Sequence, residues 1–240
     1  MLLQAQKLSI GYGIQQPIVQ EINFNVSSRS FCTLLGVNGI GKSTLLKTIA
    51  GLIKPLSGSV YVHNKELLSI SAKDRAQLIS YVTNEVVSSE YMSVHEFVAL
   101  GRYPYTGFWG NLNEADKTVI ETAIEETGIR HLSKRYMQQL SDGEKQLAGI
   151  CRALCQQTPI MLLDEPSSFL DFKNRERIFV LLRNLATSRN MAIILSTHDI
   201  STAIEHSSHL MLMSEQHEFS YSINENFTEL TVKRLLTNGN

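Results

Sequence analysis

The sequence predicts an α/β protein built on a doubly wound, mostly parallel sheet, with a helical subdomain inserted into it. Three observations carry that expectation. Short apolar runs at 31–35, 160–163 and 191–195 read as strands buried on both faces. The first two are followed by turn residues and then by apolar positions at helical spacing. Between about 86 and 157 the pattern is helical throughout.

Taken in order, residues 1 to about 35 are strand-rich, with turns at Gly11-Tyr12-Gly13 and over 25–29. A helix follows with Leu45, Leu46, Ile49 and Leu52 on one face and Gly51 as its stop. The turn at 55–58 leads into another strand at 59–62. Asn113 caps a helix lined by Val119, Ile120, Ala123, Ile124 and Thr127, which ends at Gly128. Residues 174–189 carry Ile178, Leu181, Leu182 and Leu185 at helical spacing, and a short final helix begins after Phe227. No long linker, low-complexity stretch or internal repeat divides the chain, so we expect one domain over 1–240. Its core would comprise 1–85 and 158–240, and its helical subdomain 86–157.

Gly36 to Ser43 fits G-x-x-x-x-G-K-[ST], placed between a strand and a helix as that motif requires. Gly36, Gly39 and Gly41 let the backbone around Asn38 bend, so that successive N–H groups point at phosphate oxygens. The helix starting near Lys42 and Ser43-Thr44 adds the positive end of its dipole. Lys42 is expected at the β- and γ-phosphates and the Ser43 hydroxyl on Mg²⁺. Asp164-Glu165 closes the second apolar run, where strand ends of such a sheet gather. Asp164 would hold the Mg²⁺ shell and Glu165 would accept a proton from attacking water.

Leu140-Ser141-Asp142-Gly143-Glu144 admits two readings. Ser141 and Glu144 make the capping-box pattern S-x-x-E before an apolar helical face at Leu147, Ile150 and Leu154. A capped helix start with Gly143 beside it is also an anion site. It lies too far along the chain to belong to the phosphate loop. If both touch one triphosphate, the second site comes from another molecule.

With these motifs in this order, the chain resembles the ATP-binding subunits of ABC transporters over nearly all of its length. The resemblance implies a P-loop core with an antiparallel β subdomain beside the helical one. Residues 140–144 match the family's LSGGQ signature, with Asp142 and Glu144 as departures. By the same resemblance Tyr12 stacks on adenine, Asp171 in 167–171 is the acid that acts across the dimer, and His198 in Thr197-His198-Asp199 faces the γ-phosphate. Asn84 stands where the family has a glutamine that contacts the metal; its side chain is one methylene shorter. The resemblance further implies ATP and Mg²⁺ as ligands and a homodimer under two transmembrane permease subunits. An extracytoplasmic substrate-binding protein would act with them, and the site would be the cytoplasmic face of the cell membrane.

The segment 94–116 is similar to that of importers of ferric siderophores, haem and cobalamin. Its Tyr103, Tyr105, Phe108 and Trp109 crowd a glycine-rich loop, suited either to gripping a partner helix or to filling the helical subdomain's own core. An ABC transporter for another substrate, a soluble ABC ATPase and a nucleotide-binding regulator remain open at this level. Net charge is −1, so nothing in the charge balance suggests broad nucleic-acid attraction or a polybasic membrane anchor. No apolar stretch reaches the ~20 residues that span a bilayer, and the first residues do not read as a secretory leader. Cys32, Cys151 and Cys155 lack metal spacing and read as buried thiols. His206, His209 and His217 read as surface or packing residues.

Overall fold

The computed structural model describes residues 1–13, 17–83, 91–107, 110–167, 170–225 and 227–238. β1 (Leu3–Ile10) and β2 (Val19–Val26) lead into β3 (Phe31–Gly36), and the loop after β3 opens α1 (Lys42–Ile49). β4 (Ser57–Val62) and the short β5 (Lys65–Glu66) follow, then α2 (Ala72–Ala76) and β6 (Ile79–Val82). Among the described residues three α-helices come next without a strand between them: α3 (Val94–Ala99), α4 (Glu114–Thr127) and α5 (Asp142–Cys155). The chain then alternates through β7 (Ile160–Asp164), α6 (Phe172–Ser188), β8 (Ala192–Thr197), α7 (Ile200–His206) and β9 (His209–Met213). It closes with β10 (Phe219–Ile223) and α8 (Glu229–Asn238). Among the described residues no helix is long and apolar enough to cross a membrane.

Two sheets result. An antiparallel sheet has the order β2-β1-β4-β5, and a larger one the order β10-β9-β3-β8-β7-β6. All pairings from β9 to β6 in the larger sheet are parallel; only β10 joins antiparallel. The apolar runs explain the arrangement. On β7, Ile160 and Leu162 face the core shared with the antiparallel sheet and α1, whereas Met161 and Leu163 face the core built on α5 and α6. Ile194 and Ile193 on β8 divide in the same way. Successive side chains of a strand point to opposite faces, so a strand with apolar layers on both sides is apolar at successive positions; Thr33 on β3 is a buried exception, its hydroxyl hydrogen-bonded to that of Ser207.

The helical subdomain depends on its caps and one buried ion pair. Ser93/Glu96, Asn113/Asp116 and Ser141/Glu144 form capping boxes at the starts of α3, α4 and α5, and Gly128 ends α4 in the left-handed conformation. Asp116 also receives Arg102 Nε at 2.9 Å, while Arg102 Nη1 donates to the Cys155 carbonyl at 2.7 Å. Both side chains are buried. Arg102 thus joins α4 to the end of α5, and Gly101 beside it lies so close to α5 that an added Cβ would come within 2.2 Å of the Arg152 carbonyl.

Two local expectations need correcting. Helix α1 stops at Ile49 and Gly51 adopts φ 70°, so Leu52 lies beyond the helix and is 64% exposed instead of lining its apolar face. The strand read as starting at 59 begins at Ser57 and includes Gly58, whose φ of 75° lets it approach the Lys7 carbonyl. The histidines are as read: His206 and His209 pack against Phe179 and Tyr221, and His217 is exposed in the β9–β10 turn.

Asp116→Ala should cost about 3–5 kcal/mol in guanidinium unfolding, because it strands the buried Arg102 charge. The Asn113 backbone N–H, followed by Arg102, holds the Asp116 carboxyl below the usual aspartate range despite its burial. Its contribution is therefore present above the unfolded-state pKa and is lost as pH falls through the lowered value. A mutant as stable as the parent at neutral pH would show that the pair contributes nothing.

Candidate active site

The phosphate loop is the link from β3 to α1. Gly39 and Gly41 adopt φ 80° and 111°, conformations that side chains beyond glycine rarely take. Gly36 does something other than the bending expected of it. Its φ is not positive, and an added Cβ would meet Ile40 Cγ2 at 2.9 Å and the Met213 carbonyl at 3.0 Å, so it is needed for close packing. Helix α1 has no side-chain cap and no acidic residue in its first turn, so the N–H groups of Lys42, Ser43 and Thr44 have no intrahelical partner. That is a positive, donor-rich end beside exposed Asn38 and Gly39. Lys42 is buried, and its Nζ donates to the carbonyls of Gly36 at 2.9 Å and Val37 at 3.2 Å. Ser43 is half-buried, and the Thr44 hydroxyl donates to the Tyr12 hydroxyl at 3.3 Å. Tyr12 presents an exposed ring beside the loop.

Parallel pairing brings the two acids to this loop. Asp164 is opposite Ser196 in the β7–β8 register. The Ser196 hydroxyl donates to Asp164 Oδ1 at 2.8 Å and accepts from the Glu165 N–H at 2.9 Å. Tyr81 on β6 donates its hydroxyl to Asp164 Oδ2 at 3.1 Å. Burial, reinforced by the Asp164 charge and this hydrogen bond, pushes the Tyr81 phenol well up, so it remains a donor. Glu165 has φ 46°, an unusual conformation for its type, which turns its side chain as the strand ends. Its Oε1 lies 3.2 Å from Lys42 Nζ and its Oε2 4.0 Å from His198 Nδ1.

His198 is half-exposed between the end of β8 and Asp199, the N-cap of α7. The structure therefore brings Lys42, Asp164, Glu165 and His198 into one cluster, with Ser43, Thr44 and Tyr12 along its rim. Ser141, Gly143 and Asp171 form a second group. Among the described residues no hydrogen bond or ion pair joins them to the phosphate loop. Ser141 caps α5, and its hydroxyl donates to Glu144 Oε2 at 2.9 Å. Asp171 caps α6 by accepting from the Asn174 N–H at 2.8 Å. An added Cβ on Gly143 would lie 3.2 Å from Leu170 Cδ2, so the two turns adjoin. Asn84, Phe108 and Trp109 lie outside the described residues.

Tyr81 and Ser196 escape sequence reasoning. A tyrosine and a serine at strand ends carry no signal of their own, and only the strand order places them on Asp164. The aromatic segment resolves in part: Tyr103 is 76% exposed, whereas Tyr105 lies under Arg102 and donates to the Gln156 carbonyl. Tyr103 and Pro104 border a surface groove of about 560 Å³ that Ala72 and Ala76 of α2 close on the other side.

Comparison with known proteins agrees with this geometry. Residues 19–168 match the family model described as ABC transporter. An uncharacterised ABC transporter ATP-binding protein of Methanocaldococcus jannaschii is 37% identical over 94% of this chain and 77% of its own length. The iron(3+)-hydroxamate import ATP-binding protein FhuC of Bacillus subtilis is 34% identical over 89% of this chain and 79% of its own. The ferric enterobactin transport ATP-binding protein FepC of Escherichia coli is 31% identical, over 89% and 78%. A solved chain described as a metal-chelate type ABC transporter, in an inward-facing conformation, superposes with a TM-score of 0.85 at 28% identity, covering 98% of this chain and 88% of that one. A phosphate loop of this geometry, in a chain matched by that model over most of its length, makes this protein a member of the ABC transporter family, an ATP-binding and ATP-hydrolysing subunit.

Proposed function

We propose that the chain powers an importer of ferric siderophore, haem or cobalamin, as a homodimer beneath two transmembrane permease subunits at the cytoplasmic face of the cell membrane. An extracytoplasmic substrate-binding protein would deliver the cargo. Support for the cargo class comes from relatives that are ATP-binding proteins of iron(3+)-hydroxamate import and ferric enterobactin transport, together with the 94–116 segment. The permease would dock at the segment 84–110, where exposed Tyr103 and the groove against α2 offer a seat for a helix. Residues 86–157 would move as the unit that carries this contact.

The observation that carries the catalytic reading is the place of Glu165, with one oxygen on Lys42 and the other facing His198. Lys42 leaves Glu165 for the β- and γ-phosphate oxygens when ATP enters, and the released carboxylate accepts the proton of the attacking water. His198 orients the γ-phosphate, and the ring of Tyr12 stacks on adenine. Gly39 and Gly41 bend the loop, with Gly36 packed closely at its start, so that its N–H groups, with those of Asn38 and Thr44, surround the phosphates. Ser141, Gly143 and Asp171 of one protomer complete the site of the other.

The donor set fits a hard divalent cation. Asp164 is buried, its oxygens are held by two neutral hydroxyls, and among the described residues it makes no ion pair. With the Ser43 hydroxyl, and Asn84 from its own segment, it would hold Mg²⁺. The ion, when bound, neutralises charge developing on the phosphates.

Glu165→Gln keeps the shape and should leave ATP binding intact while turnover falls about 10²–10⁴-fold; full phosphate release by this variant would remove Glu165 as the base. Ser196→Ala unties both Asp164 and the Glu165 amide, and steady-state turnover should drop about 10–100-fold, as for other residues that orient metal ligands. Unchanged turnover across Mg²⁺ concentrations would dismiss that role. A gentle pull-down from native membranes tests the partners. A many-helix permease of the siderophore, haem or cobalamin type is expected, whereas ribosomal or DNA-bound proteins without a permease would overturn the transport reading.

A further inference from the structure

Arg175 belongs to none of the motifs, yet it joins the two clusters. It lies one turn into α6, near the positive end of that helix, where a cation is electrostatically disfavoured. Its position is therefore not explained by the helix that carries it. Nη1 donates to Asp199 Oδ2 at 2.5 Å, and Nη2 donates to the Leu170 carbonyl at 3.2 Å. The pair is largely shielded, with side chains 25% and 16% exposed.

Each partner is fixed in turn. Asp199 accepts from the Thr202 N–H through its other oxygen at 3.1 Å, and its own N–H donates to Thr197 Oγ1 at 3.1 Å, so both neighbours of His198 are anchored. Burial opposes ionisation of Asp199, but the Thr202 amide and Arg175 hold its carboxyl below the usual range. On the other side, Leu170 donates its N–H to the Ser167 carbonyl at 3.2 Å, adjoins Gly143, and precedes the capping Asp171. The far end of α7 is tied to the same helix, for His206 Nε2 meets Glu176 Oε2 at 3.0 Å. Adjacent residues of α6 thus hold both ends of α7.

We propose that Arg175 is a positioning residue for His198: its guanidinium fastens Asp199 to the Leu170 carbonyl, so that the His198 turn and the Leu170–Asp171 turn hold one mutual register. This rests on the reading of His198 as the γ-phosphate contact. A planar guanidinium serves two acceptors along two directions at once, which an ammonium cannot do with the same rigidity. Through Leu170, the turn proposed to meet the opposite protomer's nucleotide is mechanically linked to the histidine of its own site. Closure of the dimer at one site would then set the histidine of the other.

The test is ATP turnover against ATP concentration for the full chain and its Arg175→Ala, Arg175→Lys, Asp199→Asn and His198→Ala variants, with thermal melts of each. Misplacing a group by ~1 Å can cost ~10²-fold, so Arg175→Ala should lose at least about 10-fold in kcat, with KM for ATP within about 3-fold. Arg175→Lys should recover only part of kcat while melting like the parent, which a purely structural cation would not do. The double variant Arg175→Ala/Asp199→Asn should be no slower than the worse single one, because both remove one link. If His198→Ala has lost turnover while Arg175→Lys matches the parent in kcat, the positioning role is wrong, even where the alanine variant fails to fold. Additive losses in the double variant would overturn it too. Full turnover by His198→Ala would instead bring down the reading of His198, and this proposal with it.

Discussion

Parallel pairing of β3, β8 and β7 is the constraint on which the site depends. Leu35 is registered with Thr197, and Asp164 with Ser196, so the three strands end at one edge of the sheet. The interiors of these strands must be apolar on both faces because a packed layer covers each. Apart from Thr33, whose hydroxyl shares a hydrogen bond with Ser207, their polar residues sit where the strands run out. The phosphate loop after β3, the two acids after β7 and the histidine after β8 meet for this reason, although they are far apart in the chain.

A buried carboxylate at that edge has to be satisfied, and two hydroxyls from different strands do so. Tyr81 and Ser196 each take one oxygen of Asp164, and Ser196 uses its lone pair to hold the Glu165 amide. The residue that fixes the first acid thereby fixes the backbone from which the second one turns. Hydroxyl donors leave the carboxylate charge intact, where an arginine would have neutralised it. The unusual φ of Glu165 belongs to the same arrangement, since its side chain meets Lys42 where β7 has ended and the chain turns toward Pro166.

The two helix starts at the candidate site illustrate how capping separates structure from chemistry. Helix α1 is left without a side-chain cap, and its first N–H groups have no intrahelical partner where it leaves a glycine-rich bend. Helix α5 is closed by its own capping box, with Glu144 occupying both the N–H and the hydroxyl of Ser141. These bonds, the backbone one foremost, draw the Glu144 carboxyl below its usual range, and Arg135 faces it at 3.6 Å. The departures from the family signature at 142 and 144 therefore add charge to a turn that the helix itself partly occupies.

Much of this was readable from the chain because local sterics and burial produce local signals. Glycines ahead of a lysine and a serine, an acid pair closing an apolar run, and Asn113 and Gly128 at the ends of a helix identify themselves by spacing alone. Gly51 ends the helix over 42–49 as its type suggests, whereas Leu52, which has the right period for the helix face, lies beyond that stop and is exposed. Gly36 looked like a bend residue and proved to be a packing one, a distinction set by Ile40 and by Met213 far along the chain. The same limit hid Tyr81, Ser196 and Arg175, and the burial of the Arg102–Asp116 pair. Their partners are 83, 32, 24 and 14 residues away, and nothing in a local period reports them. Sequence by itself determined which residues are suited to handle phosphate and which strands are buried, because those depend on side-chain chemistry and backbone period. Only the tertiary structure decided which hydroxyl holds which acid and which arginine joins the two turns, because strand order and register are properties of the whole packed sheet.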